Sequence, residues 1–315
     1  MSIYITRAGL QTYVQAGPRH GHRHSGVPAS GAADPLSLAL ANRLVGNAYD
    51  TPALEAALVG PTIQFGTPVA FALAGAVAEA RLNGQVIAHH QTQYANVDDR
   101  LEVGATEEGA RVYIAFAGGI VADEVLGSRS TYAPAGLGGF EGRALKDEDR
   151  LDLAAPATDV DAIEAPQIYR PMTPHSRAIR VCESAETGLL SDQQRAVLFD
   201  TNWTVGRRAD RMGVALEGGH IDIEHDGRMP SVPVFPGTIQ LPNDGAPYLL
   251  GIDAGTTGGY PRVAQVARLD RHVIGQLRPG DHLALLPRTP DEARAELEAL
   301  HAYWRPWLKE IERII

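Results

Sequence analysis

Apolar runs in this chain are short, and glycine, proline, asparagine or aspartate cuts each one off before a helix could be completed. The segments 69–74, 112–116, 179–182 and 283–286 are apolar or alternating, the pattern of strands in an all-β barrel or sandwich. Asn83-Gly84 and Asn243-Asp244-Gly245 supply residues that tolerate the positive φ of hairpin turns. Helices are expected in few places. Asp34 can cap one with Pro35 at its first position, Leu36, Leu40 and Leu44 as its apolar stripe and Gly46 at its end, leaving Asn42 off the stripe. Ser191 and Gln194 form a capping box for a second, short helix that ends near Asp200.

The C-terminal segment has a different texture. Thr289-Pro290-Asp291-Glu292 opens a helix with a capping box, and Ala293, Leu297, Leu300, Trp304, Leu308 and Ile311 recur at steps of three and four. Pro306 predicts a kink or break near residues 303–305, because it removes a backbone donor and crowds the preceding turn. This amphipathic helix is expected to pack on the second half of the chain, with Trp304 and Trp307 sealing it.

Composition narrows the class. With 44% hydrophobic and 21% charged residues among 315, the chain can bury two ordinary cores. A net charge of −10 and no clustering of Lys and Arg argue against broad nucleic-acid binding, since phosphate contacts need a basic face. Apolar runs are too short to span a bilayer and the first residues lack a signal-peptide pattern, so a cytoplasmic location without membrane contact is expected. One cysteine, Cys182, excludes an internal disulfide and reads as a core residue of its strand.

The segment richest in chemistry is Asp253-Ala254-Gly255-Thr256-Thr257-Gly258-Gly259-Tyr260-Pro261. It follows the apolar run Tyr248-Leu249-Leu250-Gly251-Ile252, so Asp253 is expected where a strand emerges, and the glycines leave backbone N–H groups open to close approach. Gln240 in the alternation Thr238-Ile239-Gln240-Leu241, Asn42, and Arg129 in Gly127-Ser128-Arg129-Ser130-Thr131 complete a set suited to an amide or lactam. Asn and Gln both donate and accept, Asp accepts from N–H, and Arg pairs with a carboxylate or phosphate. The candidate residues are therefore Asp253 as catalytic group and Asn42, Arg129, Gln240, Thr257, Gly258, Gly259 and Tyr260 as substrate-binding groups.

Other sites are weaker. His20, His22 and His24 alternate and would share a strand face, but no acid or cysteine completes a ligand set, so no metal is expected. His89-His90 reads as a solvent-facing turn. There is no G-x-S-x-G elbow, no G-x-x-x-x-G-K-[ST] phosphate loop and no biotin-carrier lysine motif.

Five motifs in order resemble the landmarks of one family: Ser30-Gly31-Ala32-Ala33-Asp34-Pro35 with Ala41-Asn42-Arg43, Phe116-Ala117-Gly118-Gly119 with Gly127-Ser128-Arg129, Asp210-Arg211-Met212-Gly213, Pro236-Gly237-Thr238-Ile239-Gln240, and the loop from Asp253. The family is that of the allophanate hydrolase subunit 2-like, or biotin-dependent carboxyltransferase-like, proteins, which includes the C subunit of bacterial ATP-dependent 5-oxoprolinase. The resemblance implies a mainly β fold of two cyclophilin-like β-barrels in tandem. An internal echo, Gly138-Gly139-Phe140 against Gly258-Gly259-Tyr260, agrees with that. Boundaries follow at 1–154 and 175–288 for the barrels, 155–174 for a proline-rich linker and 289–315 for the C-terminal helix.

For function, the resemblance implies three classes. The leading one is a 5-oxoprolinase component that works with a B-type partner (allophanate hydrolase subunit 1-like) and an A-type partner, in a hetero-oligomer, to open 5-oxoproline to glutamate. ATP is its cofactor, with the nucleotide shared with or held by the partner. The second is a carboxyltransferase half that moves a carboxyl group to urea or a related amide, with biotin supplied by a separate carrier. The third is a regulatory partner that antagonises a histidine-kinase inhibitor. In relatives that carboxylate urea, an Asn and an Asp of the corresponding motifs bind the substrate, which pairs Asn42 with Asp253 by resemblance.

Overall fold

A computed structural model describes residues 1–222 and 229–315. They divide into two units. The first comprises residues 1–20, 30–173 and 304–314; the second comprises 21–29, the described residues from 174 to 303, and 315.

The first unit is an antiparallel sheet whose long strands Val69–Leu82 and Arg100–Phe116 pair along most of their length. Arg100–Phe116 also pairs with Ala53–Ala57 and Thr62–Phe65, and so forms the sheet's centre. The turn between Val69–Leu82 and Gln85–Ile87 is the expected Asn83-Gly84 hairpin, both residues having positive φ. Side chains alternate strictly where one face meets solvent and are buried without a break where both faces are covered, as in residues 69–76. The core gathers Ile3, Ile5, Phe65, Phe71 and Phe116, with Phe65 tilted on Phe71 at 5.3 Å and edge-on to Phe116 at 6.2 Å. Helix α1, Pro35–Arg43, covers this sheet with Leu40 and Leu44 fully buried. Asp34 caps it as expected, accepting from the Ser37 N–H at 3.0 Å.

The second unit is a closed seven-stranded barrel. Its circuit runs through Ser176–Glu183, Arg262–Val266, Thr238–Gln240, Tyr248–Leu250, Gly213–Glu217, Trp203–Ala209 and His282–Pro287, which returns to Ser176–Glu183 in parallel. Closure removes the free strand edges an open sheet would present. Helix α2, Asp192–Asp200, starts on the expected capping box and is tied to the core by Trp203, whose Nε1–H donates to the Leu198 carbonyl at 2.9 Å. The mainly β, few-helix architecture expected from sequence is therefore the one found, with a closed barrel in one unit and a curled open sheet in the other.

Helix α3, Pro290–Trp304, opens on the reciprocal Thr289–Glu292 box and stops ahead of Pro306. Within the second unit, Glu296 of α3 pairs with Arg180 and Arg288. The tryptophans correct the sequence expectation. Trp304 and Trp307 belong to the first unit, where Tyr169 stacks on Trp307 and tilts onto Trp304, and the Arg43 guanidinium lies 4.3 Å from the Trp307 ring. The four-residue helix α4, Ile311–Ile314, then packs on α1. Period alone identifies an apolar stripe but does not say which core it meets.

Three smaller expectations also change. Cys182 is half-buried rather than a core residue, because Ile179 and Val181 take the inward positions of its strand. His90 is buried, not solvent-facing: its N–H donates to the Leu73 carbonyl and its carbonyl accepts from Ala165, each at 2.8 Å. His22 and His24 flank or join the 3-10 turn Arg23–Ser25 instead of a strand, so alternation does not align the three histidines. No group of metal-binding side chains is found among the described residues. No helix among them is long and apolar enough to cross a membrane.

Candidate functional site

Strand Tyr248–Leu250 delivers Asp253 to the end of the barrel wall, where Gly251 permits a close backbone crossing. Its N–H donates to the Met212 carbonyl at 2.8 Å, and a Cβ there would stand 2.5 Å from the Arg211 carbonyl oxygen. Only glycine fits such an approach. The crossing brings two sequence landmarks together. Asp253 N–H donates to the Arg211 carbonyl at 2.9 Å, and the Asp253 carboxylate accepts from Arg211 Nε at 2.7 Å and Nη2 at 3.0 Å. Both side chains are buried. Asp210 holds the turn in place by accepting from the Met212 N–H at 2.7 Å.

Beyond Asp253, the loop folds back as a small second ribbon, with Thr257–Gly258 pairing with Val232–Pro233. Val234 continues that ribbon: its N–H donates to the Thr256 carbonyl at 3.1 Å, and its side chain packs with Leu250 and Ala254. Gln240 is buried behind Gly258, whose missing Cβ would sit 2.4 Å from Gln240 Nε2. The same amide reaches the Tyr260 carbonyl at 3.4 Å, a long contact, while the Tyr260 ring is exposed. The structure thus gathers Asp253, Gln240, Thr257, Gly258, Gly259 and Tyr260 in the second unit.

Asn42 and Arg129 lie in the first unit. Asn42 is fully buried, and its amide N–H groups donate to the carbonyls of Thr51 at 2.9 Å and Tyr49 at 3.3 Å, while Asn47 Nδ2 donates to its Oδ1 at 2.9 Å. It is the hub of the loop after α1, a partner set that helix periodicity does not reveal. Arg129 is half exposed and pairs with Glu124 at 3.2 Å. The hydroxyls beside it are engaged by backbone: Ser128 and Ser130 donate to the Gly17 carbonyl and Thr131 to that of Val14.

Sequence reasoning places Arg211 in a turn motif and gives it no role, because its carboxylate partner lies 42 positions away. It also passes over Arg23, which joins the second unit from the chain's N-terminal half. Its Nη2 donates to the Val234 carbonyl and its guanidinium carbon lies 4.9 Å from the Phe235 ring centroid.

Chemically, a carboxylate accepts N–H groups, and two of the donors to Asp253 are the prongs of the Arg211 guanidinium.

Comparison with known proteins identifies relatives along nearly the whole chain. Residues 25–287 match the family described as carboxyltransferase domain, subdomain A and B. Over 291 residues the chain is 36% identical to the 5-oxoprolinase C subunit of Escherichia coli K12, spanning 92% of this chain and 93% of that protein. The 5-oxoprolinase C subunit of Haemophilus influenzae is 31% identical over 297 residues, 94% and 93% of the two chains. The crystal structure of K. lactis urea amidolyase superposes with a TM-score of 0.89 at 31% identity, over 95% of this chain and 20% of that one. The chain therefore spans about a fifth of urea amidolyase.

Proposed function

The chain belongs to the carboxyltransferase-domain family of linked subdomains A and B, and from that premise we propose that it is the C subunit of an ATP-dependent 5-oxoprolinase. The observation that carries this reading is the match to the 5-oxoprolinase C subunit at 36% identity across nearly the whole of both chains. In this proposal B-type and A-type partners complete the enzyme, and ATP is handled with them, in keeping with the absence of a phosphate-loop sequence here.

The task of the chain follows from lactam chemistry. Resonance makes the ring carbonyl a weak electrophile, so its oxygen must be phosphorylated before the ring opens, and a lactam held loosely would miss that event. Asp253, fixed by Arg211, accepts the ring N–H and sets the ring's orientation. The Thr257–Gly258 ribbon and Gln240 shape the neighbouring wall. In this proposal the chain binds and positions the lactam, with Asp253 as the group that meets the ring N–H.

The close superposition on urea amidolyase supports a second reading, a carboxyltransferase half that accepts a carboxyl group from biotin on a separate carrier. One experiment separates the two. Glutamate formed from 5-oxoproline and ATP is measured with this chain alone and with the A-type and B-type partners added, beside carboxylation of urea with a biotinylated carrier. Turnover only in the three-component mixture is expected. Full activity of the chain alone, or urea carboxylation without glutamate formation, overturns the proposal.

A further inference from the structure

Several arginines of the second unit are held by carboxylates. Arg211 is clamped to Asp253, Arg262 holds both oxygens of Glu186, and Arg180 pairs with Asp270. Arg23 has a carbonyl and an aromatic face instead. Its Nη1 is buried and has no hydrogen-bond partner among the described residues. Burial pushes its pKa down, and no carboxylate among those residues offsets the effect. A buried N–H without an acceptor costs as much as a lost hydrogen bond, and more when the group is charged. An acceptor oxygen brought by a ligand would remove that cost.

Its surroundings say where that partner comes from. The Val234 carbonyl that receives Arg23 belongs to the residue whose N–H bonds the Thr256 carbonyl and whose side chain packs on Ala254, next to Asp253. Phe235, under the guanidinium, is 49% exposed, so this side of the ligand loop opens to solvent. An N–H acceptor, Asp253, and a donor to carboxylates, Arg23, thus flank one ribbon. In 5-oxoproline the ring N–H and the carboxylate-bearing carbon are bonded neighbours, whereas urea carries no carboxylate.

We propose that Arg23 reads the substrate's carboxylate and is the residue by which this chain selects an anionic lactam over an uncharged amide, a role that rests on the lactam reading above. The carboxylate would take the open Nη1 in a charge-assisted bond while Nη2 stays on the Val234 carbonyl. Arg129, solvated and paired with Glu124, is not needed for that task.

The test uses the reconstituted three-component enzyme with Arg23→Gln and Arg23→Lys, and two substrates: 5-oxoproline and 2-pyrrolidinone, the same lactam without the carboxylate. For Arg23→Gln, KM for 5-oxoproline should rise roughly 10- to 100-fold with kcat within about threefold, while 2-pyrrolidinone kinetics or inhibition stays unchanged. Arg23→Lys, which keeps the charge, should recover part of the loss. An unchanged KM, or equal losses on both lactams, overturns the proposal. A second arm follows the Arg23 Nε–H resonance in the isotopically labelled chain within the complex, identified by its absence in Arg23→Gln, as acetate and then 5-oxoproline are added. A saturable shift with 5-oxoproline is expected, and no shift with either carboxylate overturns the assignment. A shift in a complex that forms no glutamate would keep Arg23 as a carboxylate site and remove the lactam reading instead.

Discussion

Arg211 grips Asp253 with two prongs, at 2.7 and 3.0 Å, with both side chains buried. Removing one partner of such a buried pair strips the other of its opposite charge in a desolvated place. Arg211→Met should therefore lower stability by about 3–5 kcal/mol, and the double variant Arg211→Met with Asp253→Leu should lose much less. Urea unfolding of the four proteins of that cycle measures it. Additive losses would show that the two side chains contribute independently.

The tryptophan clasp predicts a different loss. Trp307 is in contact with Tyr169, whose ring lies 5.9 Å away at 12°, and with the Arg43 guanidinium. Since Trp307 is only partly buried, Trp307→Ala should cost about 2–3 kcal/mol, at or below the low end for a core tryptophan. The change should appear in hydrogen exchange of α1 and the loop that follows it. An unchanged melting temperature with an altered oligomeric state would instead make the clasp a partner surface.

His90 makes stability depend on pH. Burial first, then the neighbouring His89 and Arg170, lowers its pKa from the ordinary 6.5 to about 4. The unfolded chain thus binds the proton more tightly than the folded one, so stability is full above pH 6.5 and falls as pH drops toward 4. The gap corresponds to about 3 kcal/mol, and His89, also lowered by burial, acts in the same direction. Urea midpoints between pH 4 and 7.5 should slope upward, and His90→Asn, which tolerates the residue's positive φ of 61°, should flatten much of that slope. A slope that survives the substitution intact assigns the effect to other groups.

Elements whose signals are local were legible in the sequence. The Asp34 cap, both capping boxes, the Asn83-Gly84 hairpin and the stop before Pro306 each depend on residues a few positions apart, and each is found. What the sequence did not show depends on long-range closure. Arg211 meets Asp253 across 42 positions, Arg23 meets Val234 across 211, and Trp307 meets Arg43 of the opposite end of the chain. Asn42 falls between these cases: its place off the α1 stripe was visible, but not the loop carbonyls that engage its amide. Residue types pointed to amide chemistry, while the wiring of Asp253 to Arg211 required the fold.

That wiring sets the last prediction. Asp253→Asn keeps the volume but replaces an acceptor-only carboxylate with an amide that also donates, and it leaves the Arg211 charge with a weaker partner. If Asp253 accepts the lactam N–H, the substitution should cost roughly 1.5–3 kcal/mol of 5-oxoproline affinity. Some of that could arise from a disturbed loop, so Arg211→Lys supplies the control: it keeps the Asp253 charge but loses the two-pronged grip. The expected order is that Asp253→Asn weakens binding more than Arg211→Lys, while Arg211→Lys lowers the melting temperature at least as much. Calorimetric titration in the presence of the partner proteins, with melting curves on the same samples, reads both. Wild-type affinity in Asp253→Asn would reduce the pair to a structural clamp and move the substrate's N–H to another acceptor.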